Sequence, residues 1–98
     1  MHARVTTFNA QPDKFDNILK ITRESILPGL KRHNGFKDFL YLTNDDKSKC
    51  VAVVLWDTED DMKDGEGSEH YLLNLLVKAT PLMTKPAVRE HYEVGMPA

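Results

Sequence analysis

Four stretches of the chain carry the apolar patterns of β-strands. Some alternate apolar and polar side chains, as strands with one polar side do, and others are continuously apolar. The four stretches are residues 3–8, 36–43, 49–56 and 88–94. In the second, Phe39 and Tyr41 lie on one face while Leu40 and Leu42 lie on the other, so both faces are expected to be covered. The polar turn that follows at residues 44–48 predicts an antiparallel hairpin with the third stretch.

Apolar residues recur at helical spacing between the first two strands. Pro12 suits the first position of a helix because a helix leaves that backbone N–H unpaired anyway. The apolar positions that follow are Phe15, Leu19, Thr22, Ile26 and Leu30. Pro28 removes one backbone donor, so we expect a kink or a tighter final turn around residues 26–29. Asn34-Gly35 predicts a left-handed cap.

A second helical region is predicted after the third strand. Thr58 with Asp61 three residues later resembles a capping box, and Gly65-Glu66-Gly67 interrupts the helix that it opens. A second start is expected at Ser68, and Pro81 ends the region. Its apolar stripe comprises Leu72, Leu75, Leu76 and Ala79. This stripe predicts a helix that packs on the sheet.

The order of these elements is β-α-β-β-α-β. In this split βαβ arrangement, an α+β ferredoxin-like fold, two helices cover one face of a four-stranded antiparallel sheet. The other face is also apolar along the second and third strands, and a small domain gains stability by burying it. The sequence therefore predicts a single domain, residues 1–98, whose sheet packs against that of a second copy in a dimeric α/β barrel.

Composition narrows the possible partners. The 98 residues carry a net charge of −2, which leaves no basic face for nucleic acid, and no apolar run reaches the roughly 20 residues of a membrane span. The lone Cys50 lies in an apolar strand and cannot form an internal disulfide, which fits a reducing compartment. No secretion signal is recognisable at the start, so we expect a cytoplasmic protein.

The chain resembles the antibiotic biosynthesis monooxygenase family. The resemblance is carried by Val54-Leu55-Trp56-Asp57, a following helix start, and Ser68-Glu69-His70-Tyr71, with Pro12-Asp13-Lys14 and Gly35-Phe36 as further matching features. It implies a dimeric α/β barrel across nearly the whole chain. The family includes members with different activities, so the fold carries over better than the function.

Two activities of the family can be compared residue by residue. Some members form quinones with oxygen and no cofactor, and they use a tryptophan together with an asparagine and a tyrosine. This chain keeps the tryptophan, as Trp56, but has Ala52 and Met62 at the positions of the asparagine and the tyrosine. Haem-degrading members use an asparagine, a tryptophan and a histidine at positions that correspond to Thr6, Gly65 and Leu75. None of these three can serve as an axial haem ligand, so the comparison argues against haem turnover.

His70 and Tyr71 are the first candidates for a functional site, because they follow the glycine-flanked break and can reach a cleft between the second helix and the sheet. His70 is predicted to act as a base, and Trp56 is the second predicted catalytic residue, with its indole lining the ligand pocket. Tyr71, Phe39 and Leu75 are the predicted substrate contacts. The competing interpretation is structural: Tyr71 packs beside Leu75, His70 lies on the helix surface and Trp56 belongs to the core.

Arg89, His91 and Glu93 share one face of the last strand. They are predicted to form a polar network at the dimer interface, and the alternative is a site for an anionic ligand. No pair of histidines has the spacing of a metal site, and no phosphate-binding loop is present, so neither a metal nor another cofactor is expected.

Two hypotheses about function follow. The first is a small enzyme that adds oxygen to a carbanion of an apolar aromatic or polyketide-like substrate, without metal or flavin, in the cleft between the second helix and the sheet. The second is a non-catalytic dimer of the same fold that binds a small ligand or another protein. The replacement of the family's polar groups by Ala52, Met62 and Leu75 favours the second, and the tryptophan beside a breakable helix favours the first.

Overall fold

A computed structural model describes residues 1–97, apart from the side chains of Glu69, Leu72 and Leu76. Its sheet consists of the strands β1 (His2–Asn9), β2 (Phe36–Thr43), β3 (Lys49–Trp56) and β4 (Val88–Glu93). They are ordered β2-β3-β1-β4, and every neighbouring pair is antiparallel. This is the ferredoxin-like α+β fold that the sequence predicted, with β2 and β4 as the edge strands.

One continuous helical rod connects β1 to β2. It comprises α1 (Pro12–Ile21), a π-helical turn (Thr22–Ile26) and α2 (Leu27–Lys31). The distortion at Pro28 was predicted as a kink or a tighter turn, and the structure instead shows a wider one. The Leu27 N–H donates to the carbonyl oxygen of Thr22, five residues back, immediately before the proline that has no donor. Gly35 then reverses the chain at φ 82°, as the left-handed cap predicted.

The second helical region is divided as the sequence indicated. The helix α3 (Glu59–Glu66) begins where the Thr58 hydroxyl accepts a hydrogen bond from the Asp61 backbone N–H. The chain breaks at Gly67 and resumes as α4 (Glu69–Leu72), a π-helical segment (Leu73–Ala79) and a 3-10 turn (Thr80–Leu82). Of the predicted apolar stripe, Leu75 and Ala79 are buried; the side chains of Leu72 and Leu76 lie outside the described part of the chain.

The strand register divides the sheet into a covered face and an outer face. Directly paired residues share a face, so Arg4, paired with Val54 and His91, belongs to the same side as Trp56. This covered face packs on the helices. The outer face carries large apolar side chains that are about half exposed: Leu40, Leu42, Val88 and Tyr92. Val51, Val53 and Leu55 of β3 lie between them and are partly buried.

Two clusters form the core between the covered face and the helices. Trp56, Met62, Leu30 and their neighbours form the larger cluster, and Phe8, Phe15, Ile18 and Cys50 are among the members of the smaller one. Cys50 is fully buried in β3, as expected for a cysteine in an apolar strand. Within residues 1–97, no helix has the length and hydropathy needed to cross a bilayer.

Candidate functional site

An apolar cavity lies between the covered face of the sheet and the helices. Its volume is about 30 Å³, the space of roughly one water molecule. The sheet contributes Thr6, Phe8, Phe39, Tyr41, Ala52 and Val54 to its lining. The helices contribute Ile18, Thr22, Ile26, Tyr71, Leu75 and Ala79, and Met83 closes one side. Both helical regions therefore line it, whereas the sequence predicted a cleft against the second alone.

A larger groove opens beside this cavity, between the first helical rod and the edge strand β2. Its volume is about 240 Å³, and Leu19, Leu27 and Arg23 line its outer part. Thr22, Phe39 and Tyr41 line both the groove and the cavity. These three side chains therefore lie between the cavity and the groove. The groove has a wall of largely apolar side chains with one cationic residue, Arg23.

The three predicted substrate contacts meet at this cavity. Phe39 extends from β2, while Tyr71 and Leu75 come from the second helical region, and all three belong to the lining. Tyr71 is 5% exposed, so its aromatic ring is held by packing on most sides. Burial raises the pKa of the Tyr71 hydroxyl, and the nearby Glu66 carboxylate raises it further. The side chain therefore presents a neutral O–H at this position.

Behind Tyr71 lies a buried carboxylate that the sequence analysis did not single out. Glu66, the last residue of α3, is 2% exposed. The indole Nε1 of Trp56 donates a hydrogen bond to its Oε2 at 2.9 Å. Trp56 is itself fully buried and does not line the cavity. A methyl group on Gly65 would overlap the indole ring, so glycine permits this close packing of α3 on β3.

Two arginines accompany the carboxylate from neighbouring strands. Arg4 Nε of β1 lies 3.7 Å and Arg89 Nη2 of β4 lies 3.8 Å from Glu66 Oε1. These separations are too long for hydrogen bonds, and Glu66 Oε1 and both arginine Nε atoms have no hydrogen-bond partner. The Arg89 guanidinium also lies over the Tyr71 ring, 5.5 Å from its centroid. The two arginines therefore act on Glu66 by charge, in addition to the hydrogen bond from Trp56.

Opposing effects act on the protonation of Glu66. Burial is the largest and raises the pKa of this carboxyl, because it penalises the charged form. The Trp56 hydrogen bond, the two arginines and Tyr71 lower it, without cancelling the effect of burial. The net result is a carboxyl whose pKa lies above its ordinary value.

His70, the predicted base, lies away from the cavity. Its side chain is exposed, and Nε2 lies 3.0 Å from the carbonyl oxygen of Ser25 and 3.3 Å from Nδ2 of Asn74. Its ring packs so closely on the first helical rod that a methyl group on Gly29 would overlap it. These contacts connect the two helical regions, and the catalytic role of His70 stays a prediction.

The three residues predicted at the dimer interface share a face of β4, but it is the covered face. Their register partners in β1 are Thr6, Arg4 and His2. Arg89 points to Glu66, while His91 Nδ1 lies 2.9 Å from Nε2 of His2. The part of β4 on the outer face instead consists of Val88, Glu90 and Tyr92. A role of Arg89, His91 and Glu93 in contacts with a second copy stays a prediction.

The sequence did contain a signal for the Glu66 site. Arg4 and Arg89 occupy strand positions whose register partners include core residues, and an arginine on a covered face requires a counter-charge. That Glu66 supplies it depends on where α3 ends over the sheet, which the residue pattern does not specify. Among the described residues, no cluster of histidine, cysteine and carboxylate side chains is arranged to hold a metal ion.

The fold and this site define a ferredoxin-like domain with an aromatic-lined cavity and a buried carboxylate behind it. The family model for antibiotic biosynthesis monooxygenases matches residues 1–73. The chain therefore belongs to the antibiotic biosynthesis monooxygenase family. In this chain Ala52 and Thr6 line the cavity, and Met62 is buried in the core. Ala52 and Met62 have no polar group, so neither replaces the asparagine or the tyrosine of the quinone-forming members.

Solved structures agree with this assignment at the level of the fold. Rv0793 from Mycobacterium tuberculosis is 18% identical, with a TM-score of 0.83 over 99% of this chain and 97% of that one. The monooxygenase from the gene ActVA-Orf6 of Streptomyces coelicolor, in complex with Nanaomycin D, is 16% identical, with a TM-score of 0.79 over 99% and 92%. SnoaB, a cofactor-independent oxygenase from Streptomyces nogalater, is 17% identical, with a TM-score of 0.77 over 98% and 94%. The search of curated proteins found no match.

Proposed function

We propose that this protein is a monooxygenase that acts without metal or flavin on an apolar aromatic substrate of polyketide type. The observation that carries the proposal is the cavity at Tyr71, where an aromatic and aliphatic lining includes the phenolic O–H groups of Tyr71 and Tyr41, whose pKa values burial raises. Apolar walls with few polar groups are typical of sites that bind flat hydrophobic molecules. The description of SnoaB as a cofactor-independent oxygenase supports the same reaction class.

The substrate is proposed to enter through the groove beside β2. The cavity of about 30 Å³ is too small for an aromatic ring, whereas the groove offers about 240 Å³. A substrate that displaces Phe39 and Tyr41 would join the two spaces and bring its reacting carbon to Tyr71. Arg23 at the outer part of the groove would then favour substrates with a carboxylate or phenolate group at the far end.

The chemistry requires one proton acceptor and dioxygen. A ring CH₂ flanked by aromatic rings loses a proton and keeps the electron pair as a delocalised carbanion. The carbanion reduces dioxygen and combines with it to give a peroxide anion, which takes up a proton. Loss of water from this hydroperoxide leaves a carbonyl group, so one oxygen atom enters the product and the other leaves as water. An apolar pocket favours a delocalised carbanion over a localised charge.

A homodimer is proposed as the working form. The outer face exposes four large apolar side chains, Leu40, Leu42, Val88 and Tyr92, each about half exposed. Contiguous apolar patches of this kind mark interaction surfaces. A second copy would cover the patch with its own, because the same surface is self-complementary around a two-fold axis.

Oxygen consumption tests the proposed function. Dithranol, a dihydroxyanthrone with an acidic ring CH₂, is the probe, and the protein is first treated with a chelator and dialysed. We expect uptake above the rate without protein and a loss of roughly 100-fold or more in kcat for Tyr71→Phe, the size of a lost acid–base contribution. Glu59→Gln, at an exposed position of α3 outside the cavity and the proposed dimer surface, is the control and keeps the activity. Binding of dithranol without any oxygen uptake would instead support the non-catalytic ligand-binding dimer.

A further inference from the structure

We propose that Glu66 accepts the substrate's proton through the hydroxyl group of Tyr71, and that Trp56 is the residue that positions this carboxylate. The inference rests on the proposed function, since it supplies the base that the oxygenation requires. It assigns a role to a buried acidic side chain that does not itself line the cavity.

The placement of Glu66 favours this role over that of a purely structural charge. The carboxylate is 2% exposed, yet only Oε2 is hydrogen-bonded, to the indole of Trp56 at 2.9 Å. The other oxygen, Oε1, has no hydrogen-bond partner. Because Oε1 makes no hydrogen bond, it can accept a proton without breaking the hydrogen bond that Oε2 makes to Trp56. Trp56, fully buried against Gly65, fixes its orientation.

Tyr71 connects this carboxylate with the cavity. It lines the cavity, and the Arg89 guanidinium that lies 3.8 Å from Glu66 Oε1 also lies over the Tyr71 ring, 5.5 Å from its centroid, so the two side chains adjoin the same charged group. In the proposed step the substrate's proton moves to the Tyr71 oxygen while the proton of Tyr71 moves to Glu66. Tyr71 is neutral before and after, Glu66 becomes a neutral acid, and the electron pair remains on the substrate carbon. The same proton returns later to the peroxide.

The two arginines, Arg4 and Arg89, favour the ionised form of Glu66, which is the form that can accept a proton. The charged and titratable groups that face Glu66 are Arg4 from β1, Arg89 from β4 and Tyr71 from α4. Without the arginines, burial would favour the neutral acid, which has no capacity to accept a proton. At 3.7 and 3.8 Å from Oε1 they stabilise the carboxylate by charge without occupying the open oxygen with a short hydrogen bond.

The first test needs no substrate, because Trp56 is the only tryptophan in the chain and contacts Glu66 directly. Its fluorescence is measured from about pH 4 to about pH 9, a range that includes pKa values above that of an ordinary glutamate. We expect one transition in the wild-type protein and none in Glu66→Gln, which keeps an oxygen acceptor for the indole. Tyr71→Phe should move the midpoint to higher pH, because the Tyr71 contact lowers the pKa of Glu66. A transition that Glu66→Gln retains would overturn the proposal.

The second test uses dithranol and oxygen uptake. Glu66→Gln is expected to lose at least about tenfold in kcat with little change in KM, and to lose the acid limb of the wild-type pH profile. The double variant with Tyr71→Phe should be no slower than the slower single variant, because both act in one relay. Glu59→Gln, on the same helix and paired with Lys63 at the surface, is the control.

The outcomes separate the two proposals. A wild-type protein that takes up no oxygen contradicts the proposed function, and with it the relay. A wild-type protein that is active, with an equally active Glu66→Gln and an unchanged pH profile, overturns the relay and leaves the proposed function standing. Circular dichroism of Glu66→Gln shows whether it is folded, and the variant Tyr71→Phe tests the relay while the Glu66 side chain stays in place.

Discussion

At the residue scale, the buried carboxyl group of Glu66 makes the free energy of unfolding depend on pH. Burial penalises the ionised form of Glu66 more than its partners stabilise it, so the pKa of this group is higher in the folded chain than in the unfolded one. The unfolded chain then holds fewer protons than the folded chain over the interval between the two values. The domain accordingly loses stability as the pH rises through that interval.

This linkage gives a prediction for stability. The contribution of Glu66 is fully present below the unfolded pKa of about 4.3 and is lost as pH rises through the folded pKa. We expect the free energy of unfolding of the wild-type protein, minus that of Glu66→Gln, to fall over this interval and then to level off. Urea denaturation at a series of pH values measures the difference. A difference that rises with pH would mean that the arginines dominate over burial.

His70 gives a prediction that separates structure from catalysis. Its ring connects the two helical regions through the carbonyl oxygen of Ser25, so His70→Ala should lower the free energy of unfolding by about 1 kcal/mol. Oxygen uptake per folded molecule should stay the same, because the ring does not line the cavity. His33→Ala, in the loop after α2, is the control for loss of an imidazole. A folded His70→Ala that lost its uptake would establish the predicted catalytic role instead.

At the element scale, the N-terminal cap of α3 determines where Glu66 lies. The Thr58 hydroxyl accepts from the Asp61 N–H at 3.0 Å, and three acidic residues in the first turn complement the helix dipole. Because the helix is only eight residues long, a frayed start would shift its last residue as well. The cap and the packing of Gly65 on Trp56 therefore hold the two ends of α3 in place.

Thr58→Ala is expected to lower the free energy of unfolding by roughly 1 kcal/mol, the usual contribution of an N-terminal cap. The variant should also broaden the Trp56 fluorescence titration, because α3 carries Glu66. Thermal denaturation gives the first quantity. Thr84 is an exposed threonine before β4, and Thr84→Ala is the control. It should change neither the free energy of unfolding nor the Trp56 fluorescence titration. Equal stability of the two variants would show that α3 does not depend on its cap.

The sequence predicted the strands and their order well, because period-two patterns and turn residues are local. The second and third strands have the bounds that the pattern indicated, and the helix break falls at Gly67 as expected. Around Pro28 the sequence predicted a kink or a tighter turn, and the structure has a π-helical turn before the proline, since a missing donor can be accommodated by widening a turn as well as by tightening it. Periodicity alone does not distinguish the two.

The candidate site could be predicted only in part. Phe39, Tyr71 and Leu75 were expected to meet because their elements pack together, and they line one cavity. Glu66 was missed because an acidic residue between two glycines is typical of an exposed turn. Its burial depends on Arg4 and Arg89, which are distant along the chain. Such a site is specified by tertiary contacts and not by local pattern.

At the scale of the whole molecule, the outer face of the sheet is the feature that requires a partner. Leu42→Arg introduces a charge into the exposed apolar patch of this face, and a two-fold interface doubles the effect, so the dimer should dissociate with a constant at least about 100-fold higher. Sedimentation velocity measures this change. Val77→Arg, at an exposed apolar position on the helical layer, is the control and should leave the dimer intact. A wild-type protein that is monomeric would contradict the proposed barrel.

The fate of the oxygen atoms tests the proposed monooxygenase reaction most directly. Chelator-treated, dialysed protein is incubated with dithranol under oxygen-18 gas, and the mass of the product is measured by mass spectrometry. A parallel reaction in oxygen-18-labelled water corrects for exchange of the carbonyl oxygen with water. We predict an anthraquinone that carries one labelled atom, formed by the wild-type protein and much more slowly by Tyr71→Phe. Product without label, or product formed no faster than in buffer, would contradict a monooxygenase.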